Sequence, residues 1–181
     1  MNKLIVDLEA TCCADDSFPR HEMETIEIGA VMVNKNLDII GEYSTFIKPV
    51  RNPNLTEFCK KLTTITQEDV DSAPSYEEAI KDFQIWMADY DCYEFCSWGD
   101  FDRKLLERDD DYHGLKPSIT TKHINIKKLF ASQQGIKKPC GVSKALGRAG
   151  LKFEGTQHRG IDDARNMARL SPFIFGDIKV V

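Results

Sequence analysis

The 181-residue chain has no run of about 18 apolar residues, so no transmembrane helix is expected. It also lacks the marks of a secretory leader. Met1-Asn2-Lys3 passes straight into Leu4-Ile5-Val6, with no long apolar segment and no small-residue cleavage site behind it. A cytoplasmic protein is the expectation. The six cysteines, at 12, 13, 59, 92, 96 and 140, lack the spacing of a zinc ribbon or a thioredoxin-type motif. Reduced thiols follow, with Cys92 and Cys96 read as small hydrophobes in or beside a buried strand. Positive charge is in deficit: 24 Lys and Arg against 29 Asp and Glu give a net charge of −5. That balance excludes a long nucleic-acid footprint, which needs a basic face. It leaves room for an enzyme that grips only a chain end, where metal ions in an acidic pocket supply the positive charge. Repeats, low-complexity tracts and linkers are missing too. One domain over residues 1–181 is therefore expected, long enough to bury a full core.

The apolar patterning gives an element order. Residues 4–6 are a short apolar run suited to a buried strand, and residues 12–24 are polar and read as a loop. Residues 26–33 form a strong strand, 34–36 a turn, and 37–47 a third strand, an antiparallel meander. Thr56 and Thr66 each cap a short helix, and Ser75 with Glu78 forms a capping box for a longer one. That longer helix carries Ala79, Ile80, Phe83, Trp86 and Met87 at helical spacing. Residues 95–98 read as another buried strand and residues 101–108 as the start of a helix. Further helices are expected over 124–130, 142–149 (ended by Gly150) and 161–173. The order implies an α/β domain with one mixed sheet flanked by helices, and with the first strand central so that the strand around Phe95 can pair beside it in parallel.

Three stretches hold suspicious acids. Asp7 and Glu9 lie two apart in the first strand, so their side chains share a side. Paired carboxylates on one buried face repel and are costly to desolvate unless a cation sits between them, and hard divalent cations take carboxylate oxygens. An edge strand with two solvated acids is the plainer alternative. Ser97-Trp98-Gly99-Asp100-Phe101-Asp102 lies where a buried strand ends and a helix begins, the place where open α/β sheets collect ligands. His158-Arg159-Gly160-Ile161-Asp162-Asp163 opens the final helix, where acids also simply compensate the helix dipole.

Taken together, Asp-x-Glu, an aromatic-Asp, and a His and Asp five apart resemble the DEDDh group of 3′–5′ exonucleases, with a ribonuclease H-like fold. The resemblance implies a central five-stranded mixed sheet flanked by helices. It assigns Asp7, Glu9, Asp102 and Asp163 as the acids that bind two divalent ions, Mg²⁺ or Mn²⁺, and His158 as the general base. The aromatic-Asp form favours Asp102 over Asp100. Further stretches narrow the match: Phe46-Ile47-Lys48-Pro49, Leu62-Thr63-Thr64-Ile65-Thr66-Gln67, Val70-Asp71-Ser72-Ala73-Pro74 and Ile124-Asn125-Ile126-Lys127-Lys128. They are similar to the exoribonuclease branch that includes the 3′ histone-mRNA exonuclease and bacterial KapD-type proteins.

The implied chemistry is metal-dependent hydrolysis of single-stranded RNA, with DNA as a second substrate, from the 3′ end to nucleoside 5′-monophosphates. Two metals about 4 Å apart can activate water and stabilise the leaving oxygen. A histidine, with a reference pKa of about 6.5, suits the proton-accepting role. Expected substrate contacts are Glu9, Ala10, Thr11, Phe101 and His158, with the backbone after the acids meeting the terminal ribose. Trp98 is open to two readings, core packing or base stacking. Lys127, Lys128, Lys137 and Lys138 read as a solvated face. Two alternatives stand beside this reading: a repair or proofreading exonuclease acting on DNA, and a regulatory protein that acts by contact in a kinase pathway.

Overall fold

A computed structural model describes residues 1–180. Strands β1 (Asn2–Ala10), β2 (Thr25–Val33), β3 (Ile39–Phe46), β4 (Tyr93–Ser97) and β5 (His123–Asn125) form one mixed sheet of order β3-β2-β1-β4-β5. The first three run antiparallel as a meander, whereas β4 joins β1 in parallel and β5 joins β4 in parallel. The first strand is therefore central, as the sequence implies. Helices α1 (Glu57–Thr63), α2 (Gln67–Asp71) and α3 (Tyr76–Ala88) fill the connection from β3 to β4, and α4 (Phe101–Tyr112) follows β4. Helices α5 (Ile126–Gln133), α6 (Val142–Arg148), α7 (Gly160–Arg169) and α8 (Ser171–Ile174) follow β5. The result is an α/β domain with helices on both faces of a five-stranded mixed sheet, the architecture the resemblance implies. Among the described residues no helix is long and apolar enough to cross a membrane.

Strand alternation sorts the core into two layers. Leu4, Val6, Leu8 and Ala10 point to the face covered by α3 and α4, where they meet Ile80, Phe83, Leu105 and Leu106. Ile5, with Val31 and Val33 of β2, points to the opposite face and packs under Phe130, Leu146, Ala164 and Met167. Each Leu, Ile, Val, Phe or Met side chain among these, fully buried, contributes about 1.5–3 kcal/mol. Asp7 and Glu9 continue the Ile5 face at the end of β1 and so lie on the side of α5–α8.

The helix caps stand where the sequence puts them. Thr66 with Asp69 and Ser75 with Glu78 both form complete capping boxes, and Thr56 caps α1 by accepting from the Cys59 N–H. Three expectations need correction. Ile124 lies in β5, paired with Cys96, and the helix expected over 124–130 starts only at Ile126. The helix expected over 161–173 breaks at Leu170, because Pro172 in the first turn of α8 has no N–H to continue it. Cys92 is exposed rather than a core residue, while Cys96 is buried.

One close approach decides where the site forms. A Cβ on Gly29 of β2 would stand 1.9 Å from the Gly160 carbonyl carbon, and one on Gly160 would stand 3.0 Å from the Asp7 carbonyl oxygen. Only glycine at both positions lets α7 begin in backbone contact with the two central strands.

Candidate active site

Parallel pairing brings the carboxyl ends of β1 and β4 to the same edge of the sheet, where ligands collect in such folds. β1 delivers Asp7 and Glu9 there. β4 ends at Ser97, and the chain turns through Gly99, whose φ of 131° is open to glycine, into the first turn of α4. That turn delivers Asp102, whose Oδ1 accepts from the Leu8 N–H at 3.2 Å and is thereby tied to the strand between the two acids. Helix α7, seated by the glycine contact, delivers Asp163. Asp7, Glu9 and Asp163 each present an oxygen within 4.8 Å of the others. All four acids and His158 line one open cavity of about 600 Å³.

The electrostatics of this cluster are those of uncompensated negative charge. Burial, then Asp102, Glu9 and Asp163, hold the Asp7 carboxyl well above its usual range. Burial, then Asp163 and Glu27, push Glu9 up to about 9. Burial raises Asp102 to about 6 against the opposing Leu8 hydrogen bond, and burial raises Asp163 against the His158 hydrogen bond. An all-oxygen donor set that favours protonation when bare is suited to hard divalent cations, whose charge would let all four ionise.

His158 sits in the loop before α7 with a φ of 61°, a left-handed conformation that histidine adopts more readily than most residues. Its backbone N–H donates to Asp163 Oδ2 at 2.7 Å, and its side chain is exposed on the cavity wall. Asp162, the neighbouring acid, does other work: it accepts from the Thr156 N–H at 2.8 Å and pairs with Arg165. Asp100 points away from the cluster, toward Lys128 at 3.5 Å and His123 at 3.9 Å. The geometry brings Asp102, and not Asp100, to the other acids.

Trp98 packs as a core residue with one side on the cavity. Its indole N–H donates to the Cys140 carbonyl at 2.8 Å and its ring packs on Phe130, yet it also lines the cavity. Phe101 is 48% exposed at the rim. Ala10 and Thr11, expected to meet the terminal ribose, follow the acids directly and are not among the residues that line the cavity. The Thr11 N–H is spent on the Glu24 carbonyl at 2.9 Å, its hydroxyl accepts from the Glu24 N–H at 3.0 Å, and both residues are buried. The Thr11 backbone is thus paired with the Glu24 loop.

Two groups of residues were given no role by the sequence reading. Phe58 and Phe18 line a second cavity of about 360 Å³, and Phe101 belongs to both cavities. The signal for Phe58 was present: Cys59 and Thr63 are the buried pair of α1, which turns Phe58 and Leu62 outward as exposed apolar neighbours. The other group is Glu27 with Arg159. Glu27 is a fully buried acid in β2, opposite Glu9 in the strand register, and Arg159 pairs with it. In the sequence it stands on the same face as Gly29, Val31 and Val33, which marks it as inward-facing.

The RNase_T exonuclease family model matches residues 4–171. The chain is 33% identical to the 3′-5′ exonuclease Snipper of Drosophila melanogaster over 92% of its own length and 66% of that protein's. It is 32% identical to 3′-5′ exoribonuclease 1 of Rattus norvegicus over 92% of its own length and 51% of that protein's. The chain thus spans between about half and two thirds of these relatives. Among solved structures, it superposes with a TM-score of 0.85 on the nuclease domain of 3′hExo, a DEDDh family member bound to rAMP, at 27% identity over 99% of this chain and 96% of that one. A 3′-exonuclease in 3′-end specific recognition of a histone mRNA stem-loop superposes with a TM-score of 0.87, at 26% identity over 99% of this chain and 66% of that one.

Proposed function

The chain belongs to the RNase_T exonuclease family, and on that premise we propose that residues 1–181 form a single exonuclease domain. It removes nucleotides from the 3′ end of single-stranded RNA as nucleoside 5′-monophosphates. The observation that carries the reading is the convergence of Asp7, Glu9, Asp102, Asp163 and His158 from four separate elements on one cavity. Structural economy does not call for four carboxylates there, since bare they repel one another and resist ionisation. The RNA preference is supported by the relatives named as exoribonucleases and by the rAMP-bound neighbour.

In this mechanism Asp7, Glu9, Asp102 and Asp163 would hold two divalent ions, Mg²⁺ or Mn²⁺. When bound, the ions supply the charge that activates a water and offsets the developing negative charge on phosphate and leaving oxygen. The protein's own residues do the rest. His158, exposed on the wall, takes the proton of the attacking water. Phe101 stacks the terminal base, with Phe58 facing the same second cavity, a sequence-tolerant contact. The bond broken is that from phosphorus to the 3′ oxygen of the preceding nucleotide.

Incubation of one 5′-labelled sequence, as RNA and as DNA, with Mg²⁺, Mn²⁺ or chelator tests the reading. A ladder of products shortened from the 3′ end, absent in chelator and faster on RNA, is expected. Internal cuts, or no metal requirement, would overturn it, and faster trimming of DNA would reassign the substrate. Strand form follows from charge. An acidic domain has few contacts to offset the unpairing of a duplex end. The same RNA annealed to its complement is therefore expected to be trimmed much more slowly, with a shallow dependence of binding on salt, since few phosphates are held. A steep salt slope would reveal an extended binding face.

Metal linkage gives an assay that does not depend on catalysis. Mg²⁺ or Mn²⁺ binds the assembled site and not the unfolded chain, so it raises the melting temperature by mass action. Asp163→Ala removes one ligand of the set, and its metal-induced shift is expected to be smaller than that of the wild type. Equal shifts in the two proteins would reduce Asp163 to a helix-start acid.

A further inference from the structure

We propose that Glu27 and Arg159 are positioning residues whose clamp fixes the loop carrying His158, and so sets where the imidazole stands over the acids. The proposal rests on the reading of His158 as the proton acceptor.

Glu27 is a carboxylate with no exposed surface, in a strand whose other residues are nearly all apolar. It lies beside Glu9 on the face that carries the acid cluster, which invites the idea that it is a fifth ligand. Its hydrogen bonds argue otherwise. Oε1 accepts from Arg159 Nη2 at 3.2 Å, and Oε2 accepts from Arg159 Nε at 3.2 Å and from the Gly160 N–H at 3.0 Å. Both oxygens are directed at the loop, and the pair is two-pronged, the geometry in which a guanidinium holds orientation as well as charge. The guanidinium also rests on the Phe46 ring, 5.1 Å from its centre, so Arg159 is packed between β2 and β3 as well as bonded.

Arg159 is the residue after His158, and Gly160 is the first of α7. The clamp thus seizes the chain immediately behind the histidine, while Asp163 Oδ2 holds the histidine's own N–H. A residue with a φ of 61° needs its surroundings to keep it there, because that backbone conformation is sparsely populated outside glycine. Without the clamp this loop keeps the two backbone bonds to Asp163, from the His158 N–H and to the Arg159 carbonyl, the Gln157–Ser143 side-chain bond and the Gly29–Gly160 contact, and none of these holds the Arg159 side chain. The imidazole, being exposed, has no packing of its own to restore its place. A buried ion pair of this kind is an uncertain source of stability, since desolvation offsets the attraction. What it does supply is a fixed geometry.

The experiment is a double-mutant cycle between the clamp and the histidine, with single-turnover rates, KM and metal-induced melting shifts measured for each protein. Arg159→Ala is expected to lower kcat by on the order of 10², the scale of a misplaced catalytic group. KM and the metal-induced shift should change little. In a His158→Ala background the same substitution should cost no further rate, because the group it positions is gone. Glu27→Gln should behave as Arg159→Ala does. If Arg159→Ala fails to fold, Arg159→Lys, which keeps the charge and loses the fork, takes its place in the cycle. An equal loss in both backgrounds would show a general structural role and overturn the proposal, as would full activity of the clamp variants. Loss of the metal-induced shift in Glu27→Gln would make Glu27 a ligand instead. Wild-type activity in His158→Ala alone would strike down the reading of the base, and the proposal with it.

Discussion

Asp7→Asn is expected to abolish hydrolysis and to leave the fold intact. Asparagine keeps the volume and shape of the side chain but removes the charge from a carboxyl that burial and the neighbouring acids hold well above its usual range. A divalent ion held by Asp7, Glu9 and Asp163 would lose a third of its carboxylate ligands. Retention of more than about a tenth of the wild-type rate, a loss under about 1.4 kcal/mol of barrier, would sink the assignment. The same substitution is expected to raise the melting temperature of the metal-free protein, and the sign follows from proton linkage. Folding raises the Asp7 carboxyl well above the usual range, whereas in the unfolded chain an aspartate titrates near ~3.9. Between those values the native state holds more protons than the unfolded one, so stability falls as pH rises. Below the unfolded value the carboxyl is protonated in both states and no penalty exists. Melts in chelator should therefore show little difference between Asp7→Asn and wild type at about pH 4, and a gain for the variant that grows as pH rises toward neutrality. A variant that melts lower than wild type at neutral pH without metal would mean that Asp7 makes a contact worth more than the repulsion it suffers.

The acid pair was legible because three apolar residues fix the phase of the first strand, and alternation then places positions 7 and 9 together whatever the rest of the chain does. The caps of α1, α2 and α3 were legible for a similar reason, since each is a local bargain between a hydroxyl and an N–H three residues on. Features that depend on distant partners were not. β5 is three residues long, too short to show a period, and exists because β4 offers it an edge. The break before α8 was signalled by Pro172, but an apolar helical pattern running through it masks the missing N–H. Ala10 and Thr11 follow the acids in sequence, which suggested contact with substrate. The Glu24 backbone claims Thr11 from the loop, and nothing local announces that pairing. Glu27 lay in the open as a charge inside an apolar strand, and its partner Arg159 lies 132 residues away.

His158→Ala is expected to lose roughly 10²–10⁴ in rate, the usual worth of a positioned proton acceptor. The variant keeps the four acids but has no side chain at this position to take the proton of the attacking water. Metal-induced stabilisation should survive, because the contact between residue 158 and Asp163 runs through the backbone N–H and needs no imidazole. The left-handed backbone at this position complicates a simple alanine comparison, since alanine at a φ of 61° is disfavoured by about 1–2 kcal/mol. His158→Gly resolves the ambiguity: glycine accepts that conformation freely and still removes the ring. If both variants lose the same rate, the imidazole is responsible. If the glycine variant recovers most of it, the loss in His158→Ala came from a displaced loop. A third outcome, loss of the metal-induced shift, would make the histidine a ligand and leave the proton with another group on the cavity wall. Added imidazole supplies a further check, because a small base that diffuses into an open cavity of about 600 Å³ should restore part of the rate to His158→Gly and none to Asp7→Asn.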